Sequence, residues 1–359
     1  MSKIGILSMY RYPNYGAVLQ CWALKQACNK LGYDTQIINY YPWGEQKLVV
    51  KLTRPTKFIR SIIDYYLFKR FIDKHCNLTE FIGSHEDILN HPPYEDVYVA
   101  GSDQIWSPKI VEDKLNSYLL DFVPNTSSRI AYASSMGGVP YTESKELFVK
   151  ELPKFSAIGL REPEFVTDIS KISGLYVTDV CDPSLLLTTE DYLSIEKKKY
   201  CLPKHYIAVM KLIPDPFLEQ IINVIKQKTN LPIVTLMAGY RKGCDHFFLS
   251  LSPQKWLYVM RNADYIVTDS FHGTAFSIIF RKPFVCIYDQ VRVEQNDRIT
   301  NILNQTGLVN QIVSKIEDVD NIFTVDYSKC EKKIQNYRAR SLTWLKNALE
   351  KAINDKNNK

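Results

Sequence analysis

Short apolar runs alternate with amphipathic stretches along the first half of the chain, and the apolar runs end in polar or glycine-containing turns. The predicted elements are a strand at 3–9, a helix at 17–31, and strands at 35–39, 97–100, 130–134 and 157–160. Buried strands that alternate with helices are typical of a parallel sheet covered on both faces. The pattern predicts an α/β domain of the Rossmann-like type over residues 1–170, with a helical insertion at about 45–90.

The second half of the chain repeats this alternation. Its predicted elements are strands at 177–179, 206–209, 233–236, 265–267 and 284–287, and helices at 216–229 and 256–262. We therefore expect a second Rossmann-like domain at 171–330, with the boundary between 165 and 180 and a ligand cleft between the two halves. Residues 331–359, which include a predicted helix at 341–354, are expected to pack back toward the N-terminal domain.

One histidine lies where the pattern changes from strand to helix. Residues 265–267 are predicted to form a buried strand, and a turn then leads to a helix that starts at Thr274. In parallel α/β sheets, ligands bind beyond the carboxyl ends of the strands and near helix N-termini. The turn therefore brings His272, Asp269 and Ser270 to a place that suits an anion. The alternative is that His272 only caps the helix or completes the hydrogen bonds of the turn.

The composition is that of a mildly basic globular protein. A chain of 359 residues is long enough for two domains with their own cores. The net charge of +6 suits an anionic small ligand or a membrane surface, and because no arginine-rich arm or zinc-finger spacing is present, we expect no nucleic-acid partner. The eight cysteines form no C-x-x-C pair and no zinc-type spacing with histidine, so we expect free thiols and no metal site.

The chain has no window of about 18 uninterrupted apolar residues, and its first residues lack the pattern of a secretory signal. We therefore expect a cytoplasmic protein. Residues 47–74 differ from the rest, because eight basic residues are interleaved with aliphatic and aromatic ones, against only Asp64 and Asp73. Such a segment can lie on an anionic bilayer. The alternative is a solvated pair of basic helices that packs on the first sheet.

A series of short motifs occurs in a characteristic order. They are N-Y-G-A at 14–17, G-S-D-Q-I-W-S-P at 101–108, F-V-P at 122–124, R-I-A-Y-A-S-S-M-G at 129–137, R-E-P at 161–163, D-P-S-L-L-L at 182–187 and N-A-D-Y-I-V-T-D-S-F-H-G-T at 262–274. Each motif alone is weak, but their order over residues 3–310 resembles the polysaccharide pyruvyl transferase family. The resemblance implies two Rossmann-like domains facing across a cleft, as in GT-B glycosyltransferases. It also implies transfer of a pyruvyl group from phosphoenolpyruvate onto a sugar, usually as a cyclic ketal.

Phosphoenolpyruvate carries a carboxylate and a phosphate close together, so its site needs fixed cations, backbone donors and an acid. His272 suits the acid, because a nearby phosphate favours the protonated imidazole. By the resemblance, Arg161, which directly follows a predicted strand, clamps the carboxylate or the phosphate. The alternative for Arg161 is an ion pair with Glu162 or Glu164.

The chain departs from the family at one donor position. Several members have an arginine two residues before the histidine, where this chain has Ser270. Ser270 and the backbone of Gly273 are therefore expected to bind the donor at the helix start, and a replacement cation is expected elsewhere. Arg298, predicted to precede a helix, is the first candidate and Lys211 the second; each is otherwise a surface residue.

Two turns are expected to bind the acceptor. Asn14, Tyr15 and Gly16 lie in the first predicted strand-to-helix turn, where backbone and amide groups can hold a sugar hydroxyl or a phosphate. The turn is not G-x-G-x-x-G, so a nicotinamide cofactor is not expected.

The second turn follows the predicted strand at 97–100. There Asp103 is expected to act as base for the acceptor hydroxyl, with Ser102 and Gln104 binding the sugar. The alternative for Asp103 is to cap the next helix. Asp269 is the other candidate base, or it holds His272 in one tautomer.

These expectations describe a transferase that needs no cofactor and uses phosphoenolpyruvate as donor substrate. The acceptor is a sugar of a surface polysaccharide or of its precursor, which can be polyprenyl-diphosphate-linked, and the protein then works at the inner face of the plasma membrane. The first alternative is a GT-B-type glycosyltransferase that uses a nucleotide sugar. The second is a glycan-binding relative without catalysis, which the serine at position 270 motivates.

Overall fold

The structure is a computed structural model that describes residues 1–10, 13–43, 55–138, 142–197, 201–212, 215–236, 243–288, 293 and 296–357. The chain forms two compact units. Unit 1 comprises Met1–Arg54, Ile72–Leu186 and Tyr337–Lys359, and unit 2 comprises Pro55–Phe71 and Leu187–Asn336. Part of the predicted basic segment, residues 47–54, lies outside the described residues.

Each unit contains one sheet. The strands are β1 (Lys3–Leu7), β2 (Asp34–Ile37), β3 (Val97–Ala100), β4 (Ser128–Ser134), β5 (Ala157–Leu160), β6 (Thr178–Asp179), β7 (Ile207–Met210), β8 (Ile233–Thr235), β9 (His246–Phe247), β10 (Tyr265–Thr268) and β11 (Phe284–Cys286). The helices are α1 (Tyr15–Lys30), α2 (Pro55–His75), α3 (His85–Asn90), α4 (Pro108–Val111), α5 (Leu115–Tyr118), α6 (Lys145–Glu151), α7 (Val166–Ser173), α8 (Thr189–Leu193), α9 (Pro216–Thr229), α10 (Pro253–Asn262), α11 (Phe271–Ile279), α12 (Asn296–Thr306) and α13 (Tyr327–Asn357).

Unit 1 is built on a six-stranded parallel sheet in the order β2-β1-β3-β4-β5-β6. All residues of β3 and β4 are buried, which explains why β3 is a continuous apolar run. The core of the unit includes Trp106, Tyr118 and Phe148, which stand in the segments that follow β3 and β4. The ring centroids of Trp106 and Phe148 are 5.9 Å apart in an edge-to-face arrangement.

The last helix, α13, closes unit 1 with its residues 337–357. Oγ of Ser341 accepts a hydrogen bond from the backbone N–H of Cys181 at 2.9 Å, and Nζ of Lys351 donates to the carbonyl of Ser156 at 2.7 Å. The indole of Trp344 packs over Gly159 in β5, where an added Cβ would lie only 3.0 Å from the ring. Residues 337–357 therefore belong to the first sheet, although they follow the whole of unit 2 in the sequence.

Unit 2 is built on a five-stranded parallel sheet in the order β11-β10-β7-β8-β9. Helix α9 shows why the local sequence folds as it does. Asp215 caps its first turn, Pro216 occupies the first helical position, and Asn230 ends it in a left-handed conformation. The buried side chains recur with a helical period at Leu218, Ile221, Ile222 and Ile225, and they pack in the core with the central strands.

The structure differs from the predicted boundary near 170. Strand β6, predicted to open the second domain, pairs with β5 in the first sheet, and residues 183–186 pack against α1. Unit 1 therefore extends to Leu186. The insertion also divides, because residues 55–71 of α2 group with unit 2 and residues 72–90 with unit 1. Strand pairing and packing between distant segments decide both the domain boundary and the division of the insertion. Local hydrophobic periodicity has no information about either.

Several predicted helices begin earlier than expected, among them α1 at Tyr15 and α10 at Pro253 instead of 17 and 256. Helix α11 starts at Phe271, not at 274, so His272 lies in its first turn and not in the preceding turn. Helix α13 starts at Tyr327, not at 341. Among the described residues, none of the helices combines the length and the apolar character needed to cross a bilayer.

A buried glutamate lies at the amino end of the first sheet. Glu95 is only 2% exposed, and its side chain lies against Gly5, where an added Cβ would be 2.6 Å from Cγ of Glu95. Burial raises the pKa of Glu95 to about 7; Lys3 opposes this shift, and Asp34 and Asp96 add to it. In the folded protein Glu95 therefore keeps its proton up to about pH 7. In the unfolded chain a glutamate loses its proton near pH 4.3.

We expect the free energy of unfolding to fall as the pH rises from about 5 through 7, because the unfolded chain has lost the proton and the folded protein must release it at a cost. The contribution of one such group is at most about 1.4 kcal/mol per pH unit. Urea denaturation of the wild type and of Glu95→Gln at pH 5, 6, 7 and 8 measures this slope. Glu95→Gln should lose the decline, and the exposed control Glu80→Gln should keep it. Equal slopes in all three proteins would contradict the assignment.

Candidate functional site

Three charged side chains meet beyond the carboxyl ends of β3, β5 and β6 in unit 1. Arg161 directly follows β5, whereas Asp103 and Asp182 each lie three residues after their strands. Nη1 of Arg161 donates to Oδ2 of Asp182 at 3.1 Å, and Nη2 of Arg161 lies 3.6 Å from Oδ1 of Asp103. The parallel strands end at one edge, so residues far apart in sequence form one charged cluster.

The charge of Arg161 is held inside unit 1. Only 4% of the residue is exposed. Burial lowers the pKa of Arg161, but the carboxylates of Glu162, Asp103 and Asp182 raise it more, so the pKa lies above its ordinary value. The structure thus shows Arg161 in ion pairs with Asp182 and Asp103, whereas the alternative prediction named Glu162 or Glu164 as the partner. Removal of one partner from such a buried pair leaves a charge without compensation.

The end of β4 connects to the same cluster. Oγ of Ser135 donates a hydrogen bond to Oε1 of the buried Glu162 and accepts one from the backbone N–H of Gly137 at 3.1 Å. The backbone N–H of Ser135 donates to the carbonyl of Asp103 at 3.0 Å. Three consecutive connections of the sheet are therefore tied together where Asp103 and Arg161 meet.

Ser102 and Gly101 have roles in packing. The Ser102 hydroxyl donates to the carbonyl of Ala133 at 3.0 Å, and Ser102 is fully buried. Gly101 has a φ of 145°, and an added Cβ would lie 2.0 Å from the carbonyl oxygen of Tyr132. The two backbones approach so closely that only glycine fits at position 101. Ser102, predicted to bind the acceptor, has its hydroxyl directed to the neighbouring strand.

Asp103 does not cap the next helix, so that alternative is wrong. The N-cap residue of α4 is Ser107, and Oδ1 of Asp103 accepts a hydrogen bond from the backbone N–H of Gln104 at 2.9 Å. Asp103 has a φ of 74°, in the left-handed region, and its side chain is 14% exposed. The carboxylate is therefore the member of the Arg161 cluster with the greatest exposure. The side chain of Gln104 lies against Gly137.

Asn14 marks the beginning of α1. Its side-chain oxygen accepts a hydrogen bond from the backbone N–H of Ala17 at 3.3 Å, so it is the N-cap. Tyr15 and Gly16, predicted to lie in the turn, are the first two residues of the helix and are buried. Unit 1 thus has the N-terminus of a 16-residue helix at the end of β1. The role of Asn14 as N-cap of α1 explains an asparagine at this position without any contact to a sugar acceptor.

In unit 2, β10 leads directly into α11. Ser270 is the N-cap residue, and its Oγ accepts a hydrogen bond from the backbone N–H of Gly273 at 3.4 Å. His272 is therefore not the cap, so that part of its alternative prediction is wrong, and a hydrogen bond of His272 within the turn stays a prediction. An added Cβ at Gly273 would lie 2.2 Å from Oγ1 of Thr268. Glycine is required there because the first turn of α11 packs directly on the end of β10.

Asp269 joins two neighbouring strands of the second sheet. Both carboxylate oxygens accept from the backbone N–H of Leu212, at 2.8 and 3.0 Å. Leu212 follows β7, which pairs with β10. The carboxylate therefore stabilises the connection after β7. Neither its predicted role as a base nor its predicted role beside His272 is tested by these contacts.

His272 and Arg298 both lie close to one aromatic ring. The rings of Phe271 and His272 are 5.1 Å apart in an edge-to-face arrangement, and the guanidinium carbon of Arg298 lies 5.8 Å from the centre of the Phe271 ring. Both His272 and Arg298 are 8% exposed. Arg298 is in the first turn of α12, not before it as predicted. The helix start at Ser270 and these two side chains form a basic edge of unit 2.

Lys211 has partners in its own unit. Nζ of Lys211 donates to the carbonyl of Asp215 and to Oε1 of Glu219, both at 3.1 Å. The residue is buried at the end of β7. These contacts stabilise the start of α9.

Sequence reasoning missed the roles of Asp182, Glu162 and Phe271. Asp182 stands in the motif D-P-S-L-L-L and follows a short apolar run, which is the signal that had pointed to Asp103. The sequence suggests Glu162 only as a partner of Arg161, and Phe271 only as part of the turn before the helix. In the part of the chain that the structure describes, no group of three His, Cys, Asp or Glu side chains is arranged to hold a metal ion.

Comparison with known proteins identifies the relatives of the chain. The model of the polysaccharide pyruvyl transferase family matches residues 14–290. A search of curated protein sequences returns no match.

Similar solved structures include the UDP-GlcNAc 2-epimerase from Methanocaldococcus jannaschii, which is 12% identical, covers 90% of this chain and 92% of that chain, and has a TM-score of 0.53. The UDP-GlcNAc 2-epimerase from Neisseria meningitidis, bound to UDP-GlcNAc, is 9% identical, covers 98% of this chain and 100% of that chain, and has a TM-score of 0.52. At these identities the similarity shows the fold alone. It confirms the predicted α/β class with two Rossmann-like, GT-B-like units.

Asp182→Ala should lower the free energy of unfolding by about 3–5 kcal/mol, because it leaves the buried Arg161 with one carboxylate fewer. Asp103→Ala should cost less than about 1 kcal/mol, because the 3.6 Å contact is longer and more exposed. Urea denaturation compares both with the exposed control Asp168→Ala. Equal losses for Asp182→Ala and Asp103→Ala would show that the two carboxylates hold Arg161 to the same degree.

Gly273→Ala should destabilise the protein by about 2–4 kcal/mol, since the new methyl group would displace the buried Thr268 side chain, whose Oγ1 accepts from the backbone N–H of Ser270. Gly83→Ala is the matched control, because its Cβ would come no closer than 3.3 Å to any neighbour, the ring of Phe81. Thermal unfolding of the two variants measures the difference. If both variants melt at the wild-type temperature, the contact at Gly273 is looser than described.

Proposed function

The chain belongs to the polysaccharide pyruvyl transferase family, and we propose that it transfers a pyruvyl group from phosphoenolpyruvate onto a sugar of a surface polysaccharide or of its precursor. The observation that carries the donor assignment is the basic edge of unit 2. His272 and Arg298 both lie close to the ring of Phe271, which is in the first turn of α11. A helix N-terminus with two cationic side chains suits a small ligand that carries both a phosphate and a carboxylate.

The chemistry of such a transfer defines what the residues must do. A proton is added to the methylene carbon of phosphoenolpyruvate, and a hydroxyl oxygen of the acceptor bonds to the central carbon. The bond between that carbon and the phosphate oxygen breaks, and inorganic phosphate leaves. A second hydroxyl of the same sugar then completes the cyclic ketal. The acceptor loses two protons, of which one is retained in the new methyl group and the other leaves with phosphate.

His272 is the proposed acid of this reaction. Its position in the first turn of α11 places it among backbone N–H groups that favour an anion, and a bound phosphate favours the protonated imidazole. Arg298 is proposed to hold the carboxylate or the phosphate, because a guanidinium can bind either group in a bidentate manner. Ser270 and Gly273 form the cap of α11 and are proposed to shape the site through the backbone.

Asp103 is proposed to remove the proton of the acceptor hydroxyl. Its carboxylate is partly exposed, whereas Arg161 behind it is buried and paired with Asp182. Nη2 of Arg161 lies 3.6 Å from Oδ1 of Asp103, so the guanidinium can hold the carboxylate in position. Arg161 is therefore proposed as a positioning residue for Asp103, and direct contact with the donor is a second role for the same side chain. Gln104 and the start of α1 at Asn14 are proposed to contact the sugar.

No cofactor is required by this proposal. Phosphoenolpyruvate supplies both the transferred group and the leaving group, so the protein has only to bind, orient and move protons. The acceptor is free, nucleotide-linked or polyprenyl-diphosphate-linked, and the reaction is the same for all three.

Phosphate release from phosphoenolpyruvate tests the proposal. With galactosyl, mannosyl and glucosyl acceptors, the wild-type protein should release phosphate only when a suitable acceptor is present. His272→Ala should reduce the rate by about 10²- to 10⁴-fold, the contribution typical of a general acid, and Arg298→Ala should reduce it by about 10- to 100-fold. The matched control is His91→Ala, because His91 is an exposed histidine of unit 1. Mass spectrometry of the product should show the added pyruvyl group.

Three results would contradict the proposal. Release of phosphate that does not depend on the acceptor would indicate hydrolysis and not transfer. Transfer of a labelled sugar from a nucleotide sugar, with no consumption of phosphoenolpyruvate, would favour a glycosyltransferase of the same fold. Glycan binding without turnover, unchanged by His272→Ala, would favour the non-catalytic alternative.

A further inference from the structure

Helix α2 exposes apolar side chains that a soluble surface normally hides. Of the large hydrophobic residues of the helix, Phe58 is 36% exposed, Ile59 53%, Tyr65 54% and Tyr66 65%. The two tyrosine rings contact each other edge to face, with centroids 5.5 Å apart. Contiguous exposed apolar residues mark a surface that binds a partner.

These four residues lie on one side of the helix. At about 100° per residue, Phe58, Ile59, Tyr65 and Tyr66 fall within an arc of roughly 120°. The neighbouring side is the one that packs, because Phe68, Phe71 and Ile72 are buried on an adjacent arc of roughly 100°. Helix α2 is therefore amphipathic in an unusual way, with apolar residues on the exposed side as well as on the packed side.

Basic residues continue the exposed side toward the C-terminal end of the helix. Lys69 and Arg70 are exposed and lie on the same side as Tyr65 and Tyr66. Arg60 is already paired with Asp64 at 3.3 Å, so these two charges largely cancel. In the sequence, residues 47–75 contain eight Lys or Arg and two Asp, which equals the net charge of +6 of the whole chain. The positive charge of the protein is thus concentrated in this segment.

We propose that this side of α2, defined by Phe58, Ile59, Tyr65, Tyr66, Lys69 and Arg70 and called the α2 face, docks on an anionic lipid bilayer. Tyrosine rings are favourable at the level of the lipid headgroups, and aliphatic side chains enter the outer acyl region. Lys69 and Arg70 then meet anionic headgroups. The helix lies on the bilayer and does not cross it.

Charge complementarity favours a bilayer over a second copy of the chain. A second copy would bring the same excess of positive charge to the contact, and like charges oppose association. An anionic bilayer supplies the opposite charge, together with an apolar layer for the exposed rings. The inference goes beyond the proposed transfer reaction, because docking requires neither phosphoenolpyruvate nor an acceptor.

Vesicle sedimentation of the full-length protein tests the proposal. Wild-type protein should sediment with vesicles of phosphatidylserine and phosphatidylcholine at low salt, bind more weakly at about 0.15 M salt, and stay in solution with phosphatidylcholine alone. Lys69→Gln with Arg70→Gln should weaken binding by about 30-fold, since each basic residue near an anionic surface contributes roughly 1 kcal/mol. Tyr65→Ser with Tyr66→Ser should weaken it by about tenfold or more.

The control is a double variant elsewhere on the surface, Tyr176→Ser with Lys150→Gln, because both residues are highly exposed. It should bind vesicles as the wild type does, and all variants should melt near the wild-type temperature. The proposal is overturned if wild-type protein does not sediment at low salt, or if the α2 variants bind as well as the control. Light scattering measures whether the protein is a dimer. If the wild type is a dimer and the variant Tyr65→Ser with Tyr66→Ser is a monomer, the α2 face is a self-association surface.

Phosphate release separates this proposal from the proposed reaction. With a free sugar acceptor, the α2 variants should keep the wild-type rate, because the α2 face is not part of the donor or acceptor residues. A protein that binds vesicles but does not consume phosphoenolpyruvate would keep the docking proposal and reject the reaction. The reverse result would keep the reaction and reject docking.

Discussion

All strand pairs among the described residues are parallel, and this constraint decides where the chemistry of the chain can lie. Parallel strands end at a common edge, and each connection returns the chain to the opposite edge before the next strand begins. Side chains that immediately follow strands are therefore gathered whatever their distance in sequence. Asp103, Arg161 and Asp182 meet in unit 1 for this reason, as do the segments after β7 and β10 in unit 2.

The two edges use this geometry differently. In unit 1 the edge has a buried cation, Arg161, and the carboxylates around it largely neutralise its positive charge. In unit 2 the edge has His272 and Arg298 around one aromatic ring, at the start of a helix. An anionic ligand is attracted to the second arrangement more than to the first. A neutral sugar with a hydroxyl to be deprotonated suits the partly exposed carboxylate of the first. This difference in charge is the physical basis for assigning donor and acceptor to different units.

Close packing limits what can change at both edges. Gly101 lies against the carbonyl of Tyr132, and Gly273 lies against Thr268, so neither position accepts a side chain without displacement. Both glycines stand in motifs that carried the family resemblance, G-S-D-Q and S-F-H-G. Their role in the structure is to let the segment after a strand approach its neighbour. Motifs that mark a functional site thus include residues that act only through packing.

Several features followed from the sequence alone, because they depend on local chemistry. The apolar runs of β3 and β5 and the capped, periodic helix α9 have the predicted bounds, and the motifs identified the family and the fold. Tertiary structure decided the rest. The membership of β6 in the first sheet and the ion pairs of Arg161 with Asp182 and Asp103 join residues distant in sequence. Local periodicity has no information about such partners, since pairing and charge burial depend on which segments the completed fold brings together.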